Sequence, residues 1–149
     1  MAIRYAHTNI ISNNWKELVR FYEEVFECTP VPLERSQSGQ WLEDGTGVAG
    51  AELAGMHLRL PGHGDNGPTL EIYQYKQVKE KPEPAANRQG LGHLAFAVDD
   101  VGEMLDRVVA KGGKALGKIV TATVTGAGNV TFVYATDPEG NIIELQKWS

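Results

Sequence analysis

The sequence predicts an α+β fold of two tandem βαβββ modules, and three observations carry that prediction. The pattern around His7 recurs around His93. His7 is followed at +8, +11, +12 and +15 by Trp15, Leu18, Val19 and Tyr22, and His93 at the same offsets by Val101, Met104, Leu105 and Val108. Each half then closes on a strand-like run with one carboxylate between apolar neighbours, Leu70-Glu71-Ile72 and Ile143-Glu144-Leu145, with Gly67 and Gly140 four residues ahead of the acids. Between the halves lies a Lys, Glu and Pro-rich stretch without apolar periodicity, which reads as a linker. The chain is thus one domain over 1–149: module one at 1–76, a linker at 77–90 and module two at 91–149.

Residues 3–11 read as a short strand rich in β-branched residues. Asn14 with Glu17 has the spacing of a capping box. The stripe Trp15, Leu18, Val19, Tyr22, Val25, Phe26 predicts a helix over 15–27, which Pro30 and Pro32 keep from continuing. From 33 to 67 the signal is weaker, with a strand expected around Trp41 and a clearer one at 56–60. Residues 69–75 form the strand that carries Glu71. In module two a strand covers 91–98, and Asp100 with Glu103 caps a helix that Gly112-Gly113 ends. Strands follow at 114–120, 130–136 and 141–147, the last after the turn Asp137-Pro138-Glu139-Gly140-Asn141.

A period of two sorts the strand faces. Leu94, Phe96 and Val98 lie under their helix, so His93, Ala95 and Ala97 point to the other side. Leu70 and Ile72 face core while Glu71, Tyr73 and Tyr75 do not, and Ile143 and Leu145 back onto core opposite Glu144, Gln146 and Trp148. His7, Glu71, His93 and Glu144 therefore all project from non-helix faces.

Composition narrows the function classes. Hydrophobic residues make up 42% and charged residues 22%, as in globular proteins, and the net charge of −5 opposes a general nucleic-acid surface. No apolar run reaches the roughly 20 residues that span a bilayer, and the first residues lack the regions of a signal peptide. Cys28 is the single cysteine, so no internal disulfide forms, and a cytoplasmic home is expected.

Two imidazoles and two carboxylates make a borderline ligand set, suited to one divalent transition metal (Zn, Ni, Co, Mn or Fe) rather than to Ca or Mg. Four protein ligands on an octahedral ion leave two adjacent positions for water or two substrate oxygens. Such an ion stabilises the charge of an enediolate formed by proton loss beside a carbonyl, and a ligand carboxylate that loosens can act as the base. Glu144 and Glu71 are the candidates for that role. His57 and His63 fall outside the repeat and read as surface or pocket residues. Trp15 and Tyr22 are core, and Cys28 is inert.

The segments Tyr5-Ala6-His7-Thr8, Leu70-Glu71-Ile72, 92–99 and 137–145 resemble the vicinal oxygen chelate superfamily, which includes glyoxalase I, and the resemblance spans nearly the whole chain. It implies paired modules forming a cup-shaped mixed sheet around one metal, with His7, Glu71, His93 and Glu144 as ligands. That set is similar to bacterial glyoxalase I. Acyl-CoA epimerases are similar too, though they often carry glutamine at the second position. Glutathione-using relatives have an arginine four residues after the first ligand and an asparagine four after the second. Here Ile11 and Tyr75 stand at those places, so glutathione is not expected.

The reading is a metal-dependent isomerase or lyase of glyoxalase type, acting on a small, weakly charged oxygenated compound. The pocket side holds Asn9, Ile11, Tyr73, Tyr75, Gln146 and Trp148, with Arg59 as a cation that could turn inward. An Fe(II) extradiol-type dioxygenase is disfavoured by the extra carboxylate Glu71, and a non-catalytic resistance protein by the full ligand set. A homodimer is expected, with the ligands drawn from one chain or two.

Overall fold

The computed structural model describes residues 1–149, in two compact units, Met1–Glu80 and Lys81–Ser149. In the first, the order is β1 (His7–Ile11), α1 (Trp15–Phe26), β2 (Thr29–Ser38), α2 (Gln40–Thr46), β3 (Glu52–Arg59) and β4 (Thr69–Tyr75). The sheet runs β1-β4-β3-β2, with β1 parallel to β4 and the other pairs antiparallel. The second unit follows the same β-α-then-strands order, but α2 is an insertion of the first unit with no counterpart here: β5 (Leu94–Ala97), α3 (Val101–Ala110), β6 (Lys114–Ala115), β7 (Val120–Val124), β8 (Gly128–Thr136) and β9 (Ile142–Trp148). There β5 is parallel to β9, β8 lies next, and both β6 and β7 pair with β8.

Each helix forms because its stripe has a sheet face to cover. Trp15, Leu18, Val19, Tyr22, Val25 and Phe26 are buried on one side of α1, and Ile10, Leu58, Leu70 and Ile72 are buried on strands of the same unit. In the second unit Val101 and Val108 pack over Val133, Ala135, Ile143 and Leu145. The caps work one way only. Asn14 accepts from the Glu17 amide at 3.4 Å and Asp100 from the Glu103 amide at 2.8 Å. The Glu17 carboxylate turns to Arg20 instead, at 2.9 Å, so the reciprocal half of the capping box is absent.

Four sequence expectations need correction. The stretch around Trp41 is helix α2, not strand. Gly39 opens it, Gln40 reaches Asp44 at 2.8 Å one turn on, and the Thr46 hydroxyl closes onto the Leu42 carbonyl at 2.6 Å. Only Leu42 is buried while Trp41 is 61% exposed, so a single anchor residue left no period to read. The strand expected at 3–11 begins at His7, where the ladder to Thr69 begins. The strand at 91–98 shrinks to Leu94–Ala97, leaving His93 just ahead of it. The strand at 114–120 is broken into β6 and β7, because the amides of Leu116 and Gly117 both bond the Tyr134 carbonyl, at 2.9 and 3.0 Å, and spoil the ladder there.

Candidate metal centre

Strand register places the predicted ligands. On sheet one, cross-strand partners share a face, and β2, β3, β4 and β1 carry rows of side chains on the face away from α1. One row is Val31, His57, Glu71 and Asn9; the next is Arg35, Gly55, Tyr73 and Ile11. His7 sits one row over, opposite Thr69, with Arg59 beside it.

The row geometry makes Glu71 the hub of a hydrogen-bond network. His7 Nε2 lies 3.0 Å from its Oε1, and Asn9 Nδ2 donates to that same oxygen at 3.2 Å. His57 Nε2 lies 2.6 Å from Oε2, and the Tyr73 hydroxyl donates to it at 3.1 Å. His57 and Tyr73 also meet each other at 2.8 Å. Glu71 is 7% exposed, and four partners satisfy it, as a buried carboxylate requires. Burial pushes the Tyr73 phenol up to about 12, assisted by the charge and hydrogen bond of Glu71. Burial also lowers His57, outweighing the Glu71 charge that opposes it.

In the second unit His93 Nε2 lies 2.8 Å from Glu144 Oε2, and the His93 ring stands 4.7 Å from that of Tyr134. Here the row is Tyr134, Glu144 and Ala95. Tyr134 thus replaces His57, and Ala95 replaces Asn9. Glu144 has His93 as its one polar side-chain partner, against four for Glu71. The imidazole–carboxylate pair recurs in both units, whereas the partners around it do not.

The donor chemistry fits a divalent metal. With metal–ligand bonds near 2.1 Å, two donors at right angles on one ion stand about 3.0 Å apart. The pairs at 3.0 and 2.8 Å are close to that separation, which is also that of a hydrogen bond from imidazole to carboxylate. No group of three or more His, Cys, Asp or Glu side chains encloses a single point; His7 and His57 address different oxygens of Glu71.

The remaining predicted residues are placed as follows. Tyr73 and Tyr75 pack against a buried apolar cluster of Leu42, Ala51 and Leu53, which brings the inserted α2 segment to the Glu71 face. Ile11 is 43% exposed on the same face. Gln146 accepts from the Trp148 indole at 2.8 Å, with Trp148 largely exposed. Arg59 reaches Asp65 at 3.8 Å. Sequence reading set His57 aside because it has no histidine counterpart in module two. The available signal was its alternation with Arg59, which puts it on the ligand face of a strand next to Glu71.

A family profile described as Glyoxalase/Bleomycin resistance protein/Dioxygenase superfamily matches residues 4–145. No curated protein matches in sequence. Among solved structures, a glyoxalase family protein from Bacillus cereus is similar with a TM-score of 0.76 at 18% identity, over 98% of this chain and 93% of that one. An integron cassette protein from V. cholerae gives 0.56 at 21% identity, over 100% and 98%. A glyoxalase I variant from Zea mays gives 0.65 at 23% identity, over 96% of this chain and 44% of the maize chain. These likenesses establish the fold.

Proposed function

The chain belongs to the Glyoxalase/Bleomycin resistance protein/Dioxygenase superfamily, and on that footing we propose that it is a metal-dependent isomerase or lyase removing a proton beside a chelated carbonyl. His7, Glu71, His93 and Glu144 are the residues that would hold one divalent transition metal. The observation that carries the reading is the repeated imidazole–carboxylate pair, at donor spacing of 3.0 and 2.8 Å, in equivalent places of a duplicated fold. When bound, the ion supplies Lewis acidity to two neighbouring substrate oxygens.

The two carboxylates have different parts. Glu71, fixed by His7, Asn9, His57 and Tyr73, keeps its orientation throughout. Glu144, with a single partner, is the group free to take the proton from the carbon beside the carbonyl and return it to the adjoining carbon. Asn9, Ile11, Tyr73 and Tyr75 on one module, and Gln146 and Trp148 on the other, bound the substrate, a small oxygenated compound. Ile11 and Tyr75 supply no partner for the carboxylates of glutathione. A homodimer completes the reading, since a two-fold pairing covers open sheet edges.

The test is elemental analysis of untagged protein after metal reconstitution and dialysis. One equivalent of metal is expected, with affinity in Glu144→Ala and His93→Ala reduced by about tenfold or more. Less than about a tenth of an equivalent in the wild type, or undiminished binding in Glu144→Ala, overturns the reading.

A further inference from the structure

Arg35 is a half-buried cation on the Glu71 face of sheet one that meets no carboxylate. On this face Glu71 is met by His7 and His57, and Arg59 by Asp65. Register sets Arg35 opposite Gly55, and Gly55 opposite Tyr73. Because Gly55 has no side chain, the Tyr73 ring lies over it; a Cβ there would stand 2.5 Å from Tyr73 Cδ1. The guanidinium Nη1 donates to the Leu33 carbonyl at 3.0 Å, and its charge opposes the upward shift of the Tyr73 phenol. That carbonyl belongs to the irregular stretch of β2, where the register shifts between Val31 and Arg35. Both residues remain on the ligand face, and the bulge supplies the acceptor that aims the arginine.

A guanidinium offers five N–H donors in a planar fork. The Leu33 carbonyl takes one donor and leaves the rest of that fork open, one strand-row from Glu71. The bond to Leu33 is solvent-exposed, so the open donors are within reach of an anionic ligand, which a guanidinium binds by charge-assisted hydrogen bonds. The partly exposed neighbours on this face, Ile11, Tyr73 and Tyr75, are apolar or aromatic, so the anion arrives on an organic body.

We infer that Arg35 is the recognition group for a carboxylate carried by the substrate, held by the guanidinium fork one strand-row away from Glu71. This rests on the reading that substrate binds the Glu71 face, and it narrows the compound to an organic monoanion. It also assigns the cationic role to Arg35 rather than to Arg59, whose charge is answered by Asp65.

The experiment uses metal-free, full-length, ¹⁵N-labelled protein, titrated with sodium benzoate and with benzamide as its neutral, size-matched partner. Arginine Nε–Hε resonances report the contact. Benzoate is expected to shift the Arg35 resonance and to bind at least about tenfold more tightly than benzamide. Arg35→Met should erase the preference, Arg35→Lys should retain part of it because charge remains without the fork, and Arg59→Met should leave it intact. Equal binding of benzoate and benzamide, an unchanged preference in Arg35→Met, or its loss in Arg59→Met overturns the inference. Metal affinity, measured separately, should be the same in wild type and Arg35→Met. A wild type that takes up no metal yet keeps the Arg35-dependent preference removes the metal reading and supports this one.

Discussion

Replacing Gly55 by alanine attacks the close approach that seats Tyr73 in the Glu71 network. The added Cβ would press into the Ile72 carbonyl oxygen and stand 2.5 Å from Tyr73 Cδ1 and 2.9 Å from Tyr73 Cα. Two of those three atoms are backbone of β4 and cannot rotate away, so either the strands part locally or Tyr73 swings aside. Overpacking of this kind costs about 1–3 kcal/mol. Displacing Tyr73 also forfeits its bonds to Glu71 and His57, worth about 1 kcal/mol each. A total of about 3–5 kcal/mol, at about 2–4 °C for each in a chain of this size, lowers Tm by roughly 6–20 °C. Thermal melts followed by circular dichroism measure it. Gly45→Ala is the matched control, because nothing lies within 4 Å of a Cβ there and the site is helical. It should be neutral or stabilising by up to about 1 kcal/mol. A Gly55→Ala protein that melts with the wild type would refute the argument.

Asp137→Ala should lower Tm by roughly 5–15 °C in the same assay, a loss of about 2–4 kcal/mol. The buried carboxylate organises its whole turn, accepting from the Glu139 and Asn141 amides at 2.9 and 3.0 Å and from Asn141 Nδ2 at 2.7 Å. A loss under about 1 kcal/mol would show that the turn holds without it. Cys28 should resist alkylation by iodoacetamide at pH 8 in native protein and react fully in denaturant. Burial, with a contribution from Glu23, pushes its thiol from 9.0 up to about 12, and the thiolate is the nucleophile. The sign for stability follows: a raised thiol pKa favours the folded state fully below 9.0, and that advantage is lost as pH climbs toward about 12. Rapid native labelling would mean the residue is accessible.

Sequence alone determined what repeats and what alternates. A 3.6-residue stripe names α1 and α3 because each must bury one face, and Trp15 through Phe26 do so. Alternation placed Glu71 between the buried Leu70 and Ile72, and Glu144 between the buried Ile143 and Leu145, since a strand turns successive side chains to opposite sides. The Gly-x-x-x-Glu spacing was legible for the same reason, although its two glycines serve different ends. Gly140 closes a turn at φ +82°, whereas Gly67 admits His63 so closely that no Cβ would fit.

Tertiary structure decided whatever depends on which strands lie side by side. His57 meets Glu71 only because β3 pairs with β4 in a register that sets the two opposite each other. Arg35 comes into one row with Tyr73 only through a bulge in β2 and an intervening glycine. The inserted helix α2 had one buried residue, too few to leave a periodic trace, yet it supplies Leu42 to the apolar cluster under Tyr73 and Tyr75. The unequal support of the two carboxylates, four partners for Glu71 and one for Glu144, is likewise a property of neighbouring strands. Period and spacing are written along the chain, but strand register is an agreement between distant segments, and it appears only when they pack.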